Sequence, residues 1–222
     1  MSTLKKIAAG LLAATALTAF ANGAQAEEFK GKSKGDILVR ARIVGVIPDE
    51  KGDIRTAGGA DTNLDGRLNN DVIPEVDFSY FLTDNIALEL IAGTSRHKVS
   101  AVGAGANIPV GEISVLPPTL TLQYHFLPKE KFSPYLGAGL NYTLFYAADD
   151  AAGFNGLKVN PSLGFALQAG ADFFLNDKWF INVDVKKIWL DSTLKTNLGA
   201  TALRSSVDIH PWVIGAGIGY KF

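Results

Sequence analysis

Charged residues in this 222-residue chain recur at alternate positions. One residue separates Arg40 from Arg42, Glu75 from Asp77, and Asp184 from Lys186. Glu89 and Asp172 each stand between apolar neighbours. Side chains so placed could pair, cation with carboxylate, as a structural network, or line a path for solutes. His97, His125 and His210 are scattered, and the chain has no Cys, so no spacing supplies a metal site. A Ser-His-Asp triad is defined by geometry, and spacing neither makes nor removes one. The stretch Asp61-Thr-Asn-Leu-Asp-Gly66 matches the start of a calcium loop, but the twelfth position is Val72, which cannot supply the bidentate acid. Gly215-Ala-Gly-Ile-Gly219 lacks the strand-turn-helix setting of a dinucleotide loop. No cofactor is expected, and no motif points to an enzyme.

Alternation is also the signature of the elements that must position these groups. Leu120, Leu122, Tyr124 and Phe126 share one parity, while Thr119, Thr121, Gln123 and His125 share the other. After a short polar turn, Leu136, Ala138, Leu140, Tyr142 and Leu144 alternate with Gly137, Gly139, Asn141 and Thr143. Period two with one apolar face predicts strands, and two such runs across a turn predict a hairpin. The same pattern predicts strands over 36–47, 72–82, 86–93, 162–175, 179–190 and 207–222, with long polar loops over 48–70, 94–118, 147–161 and 191–206. Tight turns are predicted at Thr83-Asp84-Asn85 and Asn176-Asp177. Residues 27–35 read as a short extended lead-in. Alternating long and short connections predict an all-β fold, an eight-stranded antiparallel barrel with long extracellular loops and short periplasmic turns.

Lys5 and Lys6, an apolar run over 7–21, and Ala24-Gln25-Ala26 read as an export signal cleaved after Ala26. The run is too short and Ala-rich for a membrane anchor. The barrel domain would then be 27–222. Without its two leader lysines the chain has 19 basic and 22 acidic residues, a net charge of −3 that argues against nucleic acid.

A soluble barrel would bury the apolar face, whereas a membrane barrel turns it to lipid. Aromatics near strand ends favour the membrane version: Tyr80, Phe126, Phe132, Tyr135, Trp179, Trp212, Tyr220 and Phe222. Glycines on the polar parity fit a narrow interior. The interior would then hold Arg40, Arg42 and Lys186 against Glu75, Asp77, Glu89, Asp172 and Asp184, and unpaired charge there would be costly. Two readings stay open, a structural ion-pair network and a charged permeation lining.

The segments Leu-Pro-Pro-Thr-Leu-Thr-Leu-Gln-Tyr-His-Phe126, Pro134-Tyr-Leu-Gly-Ala-Gly-Leu-Asn-Tyr-Thr143 and Asp208-Ile-His-Pro-Trp-Val-Ile-Gly-Ala-Gly-Ile-Gly-Tyr-Lys-Phe222 resemble the OmpW family of small bacterial outer-membrane barrels. That resemblance implies passive passage of small hydrophobic molecules. It places a pocket at Ile91, Phe145 and Phe154, with Leu116 and Pro117 at the rim. The partners it implies are outer-membrane lipid, small hydrophobic solutes and the assembly machinery that reads the C-terminal strand. The chain departs from the family pattern at Lys186, where relatives can carry an inward aromatic, which implies a more polar lumen. The rival readings are a surface-interaction scaffold without transport and a lipid-modifying enzyme.

Overall fold

The computed structural model describes residues 29–103 and 105–222. The predicted leader lies outside those residues. In chain order the strands are β1 (Ile37–Ile47), β2 (Glu50–Lys51), β3 (Asp53–Thr56), β4 (Asp61–Leu68), β5 (Asp71–Phe81), β6 (Ile86–Gly93), β7 (Ser95–Gly103) and β8 (Ala106–Leu116). They continue as β9 (Thr119–His125), β10 (Phe132–Asp150), β11 (Phe154–Val159), β12 (Ser162–Phe174), β13 (Trp179–Leu198), β14 (Thr201–Ile209) and β15 (Trp212–Lys221). All pairings are antiparallel. They close a ring through β1, β5, β6, β9, β10, β12, β13 and β15, which returns to β1.

The strand count differs from the eight that the alternation predicts. The four long connections are not polar loops. β10 and β13 run on past the ring, and β2, β3, β4, β7, β8, β11 and β14 pair with each other or with those extensions. These segments are rich in Gly, Asp and Asn, but their inward positions carry Ile54, Val99, Val110 and Leu157, which form a second core. The predicted final strand is broken at His210-Pro211, since Pro211 has no N–H for a ladder. Its first part, Val207–Ile209, pairs with β13 as β14.

Burial fixes which face looks outward. Ile43 is 61 % exposed, Leu122 53 % and Leu140 58 %, whereas Arg40, Asp77, Glu89 and Asp172 are wholly buried. Water would not support that inversion; lipid does. Trp189 stands ten positions beyond Trp179 on β13, both facing outward. At about 3.3 Å per residue and a tilt of about 40°, they stand about 25 Å apart along the barrel axis, the height of an apolar band between aromatic girdles. Tyr135 does not belong to a girdle. It points inward, nearly fully buried, because it shares parity with Gly137 and Gly139. Its hydroxyl end lies where a Cβ on Gly170 would be, so the interior glycine makes room for the ring.

Candidate functional site: an apolar shaft above a charged floor

The register of β1 against β5 sets Arg40 opposite Asp77 and Arg42 opposite Glu75. Directly opposed residues share a face, so each inward cation meets an inward acid by construction. Arg40 donates from Nη1 to Asp77 at 2.8 Å and grips Asp172 through Nε at 3.1 Å and Nη2 at 2.9 Å. Arg42 lies 2.8 Å from both Glu75 and Asp77. Glu89 sits 3.5 Å from Arg40 and 3.7 Å from Arg42, and accepts from Thr121 at 3.1 Å. Lys186 contacts Asp184 at 2.7 Å and Glu75 at 3.4 Å. Tyr135 and Gln168 also donate to Asp184, at 2.8 and 2.7 Å. All eight predicted lumen charges are therefore brought into one buried, connected layer inside the barrel.

Sequence reasoning missed a ninth member. Lys32 is wholly buried, and its Nζ reaches Asp172 at 2.7 Å, His125 at 2.8 Å and Ser133 at 2.9 Å. Its segment is no simple lead-in; it folds into the periplasmic mouth. Phe29 packs on Phe174 above the turns, next to Phe81 and Phe180. The Lys32 amide donates to the Pro128 carbonyl at 2.7 Å, and Lys129 donates back to the Lys32 carbonyl at 2.9 Å. Gly31 has φ +63°, and a Cβ there would stand 2.5 Å from the Pro128 oxygen, so only glycine fits this approach. Burial pushes the Lys32 ammonium down to about 8 despite the pull of Asp172, which leaves it charged at neutral pH. The signal for a missing cation was the imbalance itself: five inward acids against three inward cations.

Above this floor the lumen turns apolar. A cavity of about 80 Å³ is lined by Val44, Ile73, Ile91, Phe145, Ile188 and Val213, with Glu75 and Lys186 beneath and Pro117 at its wall. A larger cavity of about 280 Å³ lies within the extracellular extension, among Leu64, Val99, Val110, Phe154, Leu203 and Val207. A small void of about 20 Å³ lies between them, sharing Leu68, Ile113 and Ile209 with the lower cavity and Val99, Leu194 and Val207 with the upper. Ile91, Phe145 and Pro117 thus line the lower cavity and Phe154 the upper. Leu116 does not join them. It opposes Leu144 on the outward parity, next to inward Val115. Ile188 and Val213 went unnamed because the inward parity changes from charged to apolar partway up each strand.

The histidines stay apart. His97 bonds Ser95 at 2.9 Å and the Asn69 carbonyl at 2.8 Å, His125 meets Lys32, and His210 lies 3.7 Å from Asp191. Among the described residues no cluster of His and acids could hold a metal. The calcium-like stretch is strand β4, and its Asp61 lies 3.6 Å from Arg55.

The ladder of the wall is interrupted beside the lower cavity, and one such interruption lies between β6–β7 and β8–β9. β6 pairs with β9 up to Ile91 opposite Thr119, and β7 pairs with β8 from Ser95 opposite Val115. No ladder pair joins residues 92–94 to 116–118. Pro117 and Pro118 lack the N–H groups that a ladder would use. Thr94 Oγ1 donates to the Val115 carbonyl at 3.1 Å and bridges this seam, while Asn141 on β10 donates to the Pro117 carbonyl at 3.2 Å from the other side.

Comparison with known proteins matches this arrangement. Residues 33–222 match the model of the OmpW family. The chain is 46 % identical over 187 residues to the uncharacterized outer-membrane protein y4mB of Sinorhizobium fredii, covering 83 % of this chain and 79 % of that one. It is 37 % identical over 198 residues to outer membrane protein W of Vibrio cholerae, covering 85 % and 89 %. The crystal structure of OprG from Pseudomonas aeruginosa superposes with a TM-score of 0.82 at 32 % identity, over 86 % of this chain and 98 % of that one. With an all-β ring, an outward apolar band and these relatives, the chain belongs to the OmpW family of bacterial outer-membrane barrels.

Proposed function

We propose that this barrel passes small hydrophobic molecules from the extracellular side into the membrane, without an energy source. The observation that carries this reading is the stack of apolar space: two apolar cavities with a small void between them, above a charged floor. An apolar solute gains roughly 25 cal/mol for each Å² it hides from water, so it collects in such space. It does not cross the floor, because displacing paired buried charges is expensive. The seam between residues 92–94 and 116–118 opens instead toward lipid at the level of the lower cavity. Ile91, Phe145 and Phe154 act as walls of the path, and Pro117 as the edge of the exit. Outer-membrane lipid is then both the surrounding solvent and the receiving phase. The C-terminal strand, ending in Tyr220 and Phe222, presents the alternating aromatic pattern expected by the assembly machinery.

The test is flux of an apolar solute into vesicles carrying the folded barrel. Wild type should exceed protein-free vesicles, and a polar solute of equal size should show no difference. Ile91→Trp, which fills the lower cavity, should abolish the excess. Flux equal to that of empty vesicles would remove the proposal and leave a surface scaffold.

A further inference from the structure

Four cations form a row across four adjacent strands of the extracellular extension. Lys158 opposes Lys195, Lys195 opposes Arg204, and Arg204 opposes Arg55. All four are exposed, and each has inward neighbours of the opposite parity, so the row lies on the outer wall. Like charges directly opposite across a ladder destabilise it. The chain offers little compensation. Arg55 lies 3.3 Å from Asp53 and 3.6 Å from Asp61, but Lys158, Lys195 and Arg204 have no carboxylate within 4.0 Å among the described residues. Elsewhere on the extension the pattern differs: Arg96 lies 2.8 Å from Glu112 and also meets Asp149.

Height identifies what the row faces. Lys195 is six residues beyond Trp189 on the same strand. That is about 20 Å along the strand and about 15 Å above the girdle. The lipid headgroup layer itself is only about 5–8 Å deep. Nearer the membrane, Asp191 opposes Asp208 four residues below, so anions are not favoured at headgroup level on these strands.

We propose that Lys158, Lys195 and Arg204 bind the phosphorylated core sugars of the lipopolysaccharide around the barrel, tying the extension to the surface glycolipid layer. Three exposed cations on one face, each about one strand spacing from the next, match a run of sugar phosphates better than a single ion. The contact is electrostatic, so it weakens with salt.

The probe is a deacylated, phosphorylated lipopolysaccharide core oligosaccharide, titrated onto the full barrel in phosphatidylcholine nanodiscs. Wild type should bind it saturably. The triple variant Lys158→Gln, Lys195→Gln, Arg204→Gln should bind at least roughly tenfold more weakly, given that each such cation contributes a severalfold attraction. The triple variant Lys158→Arg, Lys195→Arg, Arg204→Lys should bind like wild type. The same oligosaccharide stripped of phosphate should not bind. Heat-modified gel mobility establishes that each variant is folded. Absence of wild-type binding overturns the proposal, as does equal binding by the glutamine variant or by the dephosphorylated sugar. Inorganic phosphate binding as tightly as the oligosaccharide would also overturn it, in favour of a simple anion site.

Discussion

Lys186→Met should destabilise the barrel by about 3 kcal/mol. Removing one partner of a buried ion pair typically costs about 3–5 kcal/mol, because the remaining charge stays buried. The structure places this case at the low end. Asp184 loses a contact of 2.7 Å but keeps donors from Tyr135 and Gln168, and Glu75 keeps Arg42 at 2.8 Å. Glu75 and Asp184 are the acids left behind. With a urea slope of about 2 kcal/mol/M, the midpoint in lipid should fall by about 1.5 M. Adding Asp184→Asn should recover part of that loss, since the double variant removes both charges of one contact. Apolar flux should stay near wild type, because Arg40 and Arg42 still close the cross-section below. An unchanged midpoint together with raised flux would refute the charged floor and make the lumen an open conduit.

Leu122→Arg, at an outward position that is 53 % exposed, should cost roughly 2–4 kcal/mol and lower folding yield in lipid, whereas Leu122→Ala should fold nearly as wild type. Gly31→Ala should loosen the periplasmic segment without unfolding the ring, read as faster hydrogen exchange at the Lys32 amide, since φ +63° and the Pro128 oxygen leave no room for a Cβ. Acid should release the same segment. Asp84 accepts from the Lys34 amide and from Lys129, which lowers its pKa. Its contribution is therefore present above about pH 4, the ordinary aspartate value, and is lost as pH falls through the lowered value. Exchange at the Lys34 amide, corrected for intrinsic rate, should quicken only in that acid window.

Alternation made the ring strands legible. From Leu120 to Phe126 or from Ile181 to Val185, parity alone sorts the residues onto two faces, because a strand has only two, and burial then shows the apolar one turned to lipid. Parity also collected Arg40, Arg42, Glu75, Asp77, Glu89, Asp172, Asp184 and Lys186 on one side, and in a ring this narrow one side is one place. The extension was not legible in the same way. In β3, β4 and β14, Asp, Asn, Arg and Ser occupy most outward positions, and the inward apolar residues are interrupted by Gly66 and Ser205, so they do not stand out from loop composition. Tyr135 was misplaced because an aromatic near a strand end reads alike whether it faces lipid or lumen, and only its parity with Gly137 decides.

The sequence by itself determined the strand periods, the division into an apolar and a charged face, the set of charges on the one face and the excess of acids among them. Those are local properties, set by side-chain order along a two-sided strand. Only the tertiary structure decided which acid meets which cation, since Asp172 and Lys32 are 140 residues apart and meet through ring closure. It alone decided that the N-terminal segment supplies a cation from below, and that the proline pair leaves a seam at the level of the apolar cavity. Register and closure are cooperative outcomes of the whole ring, and no single strand carries them.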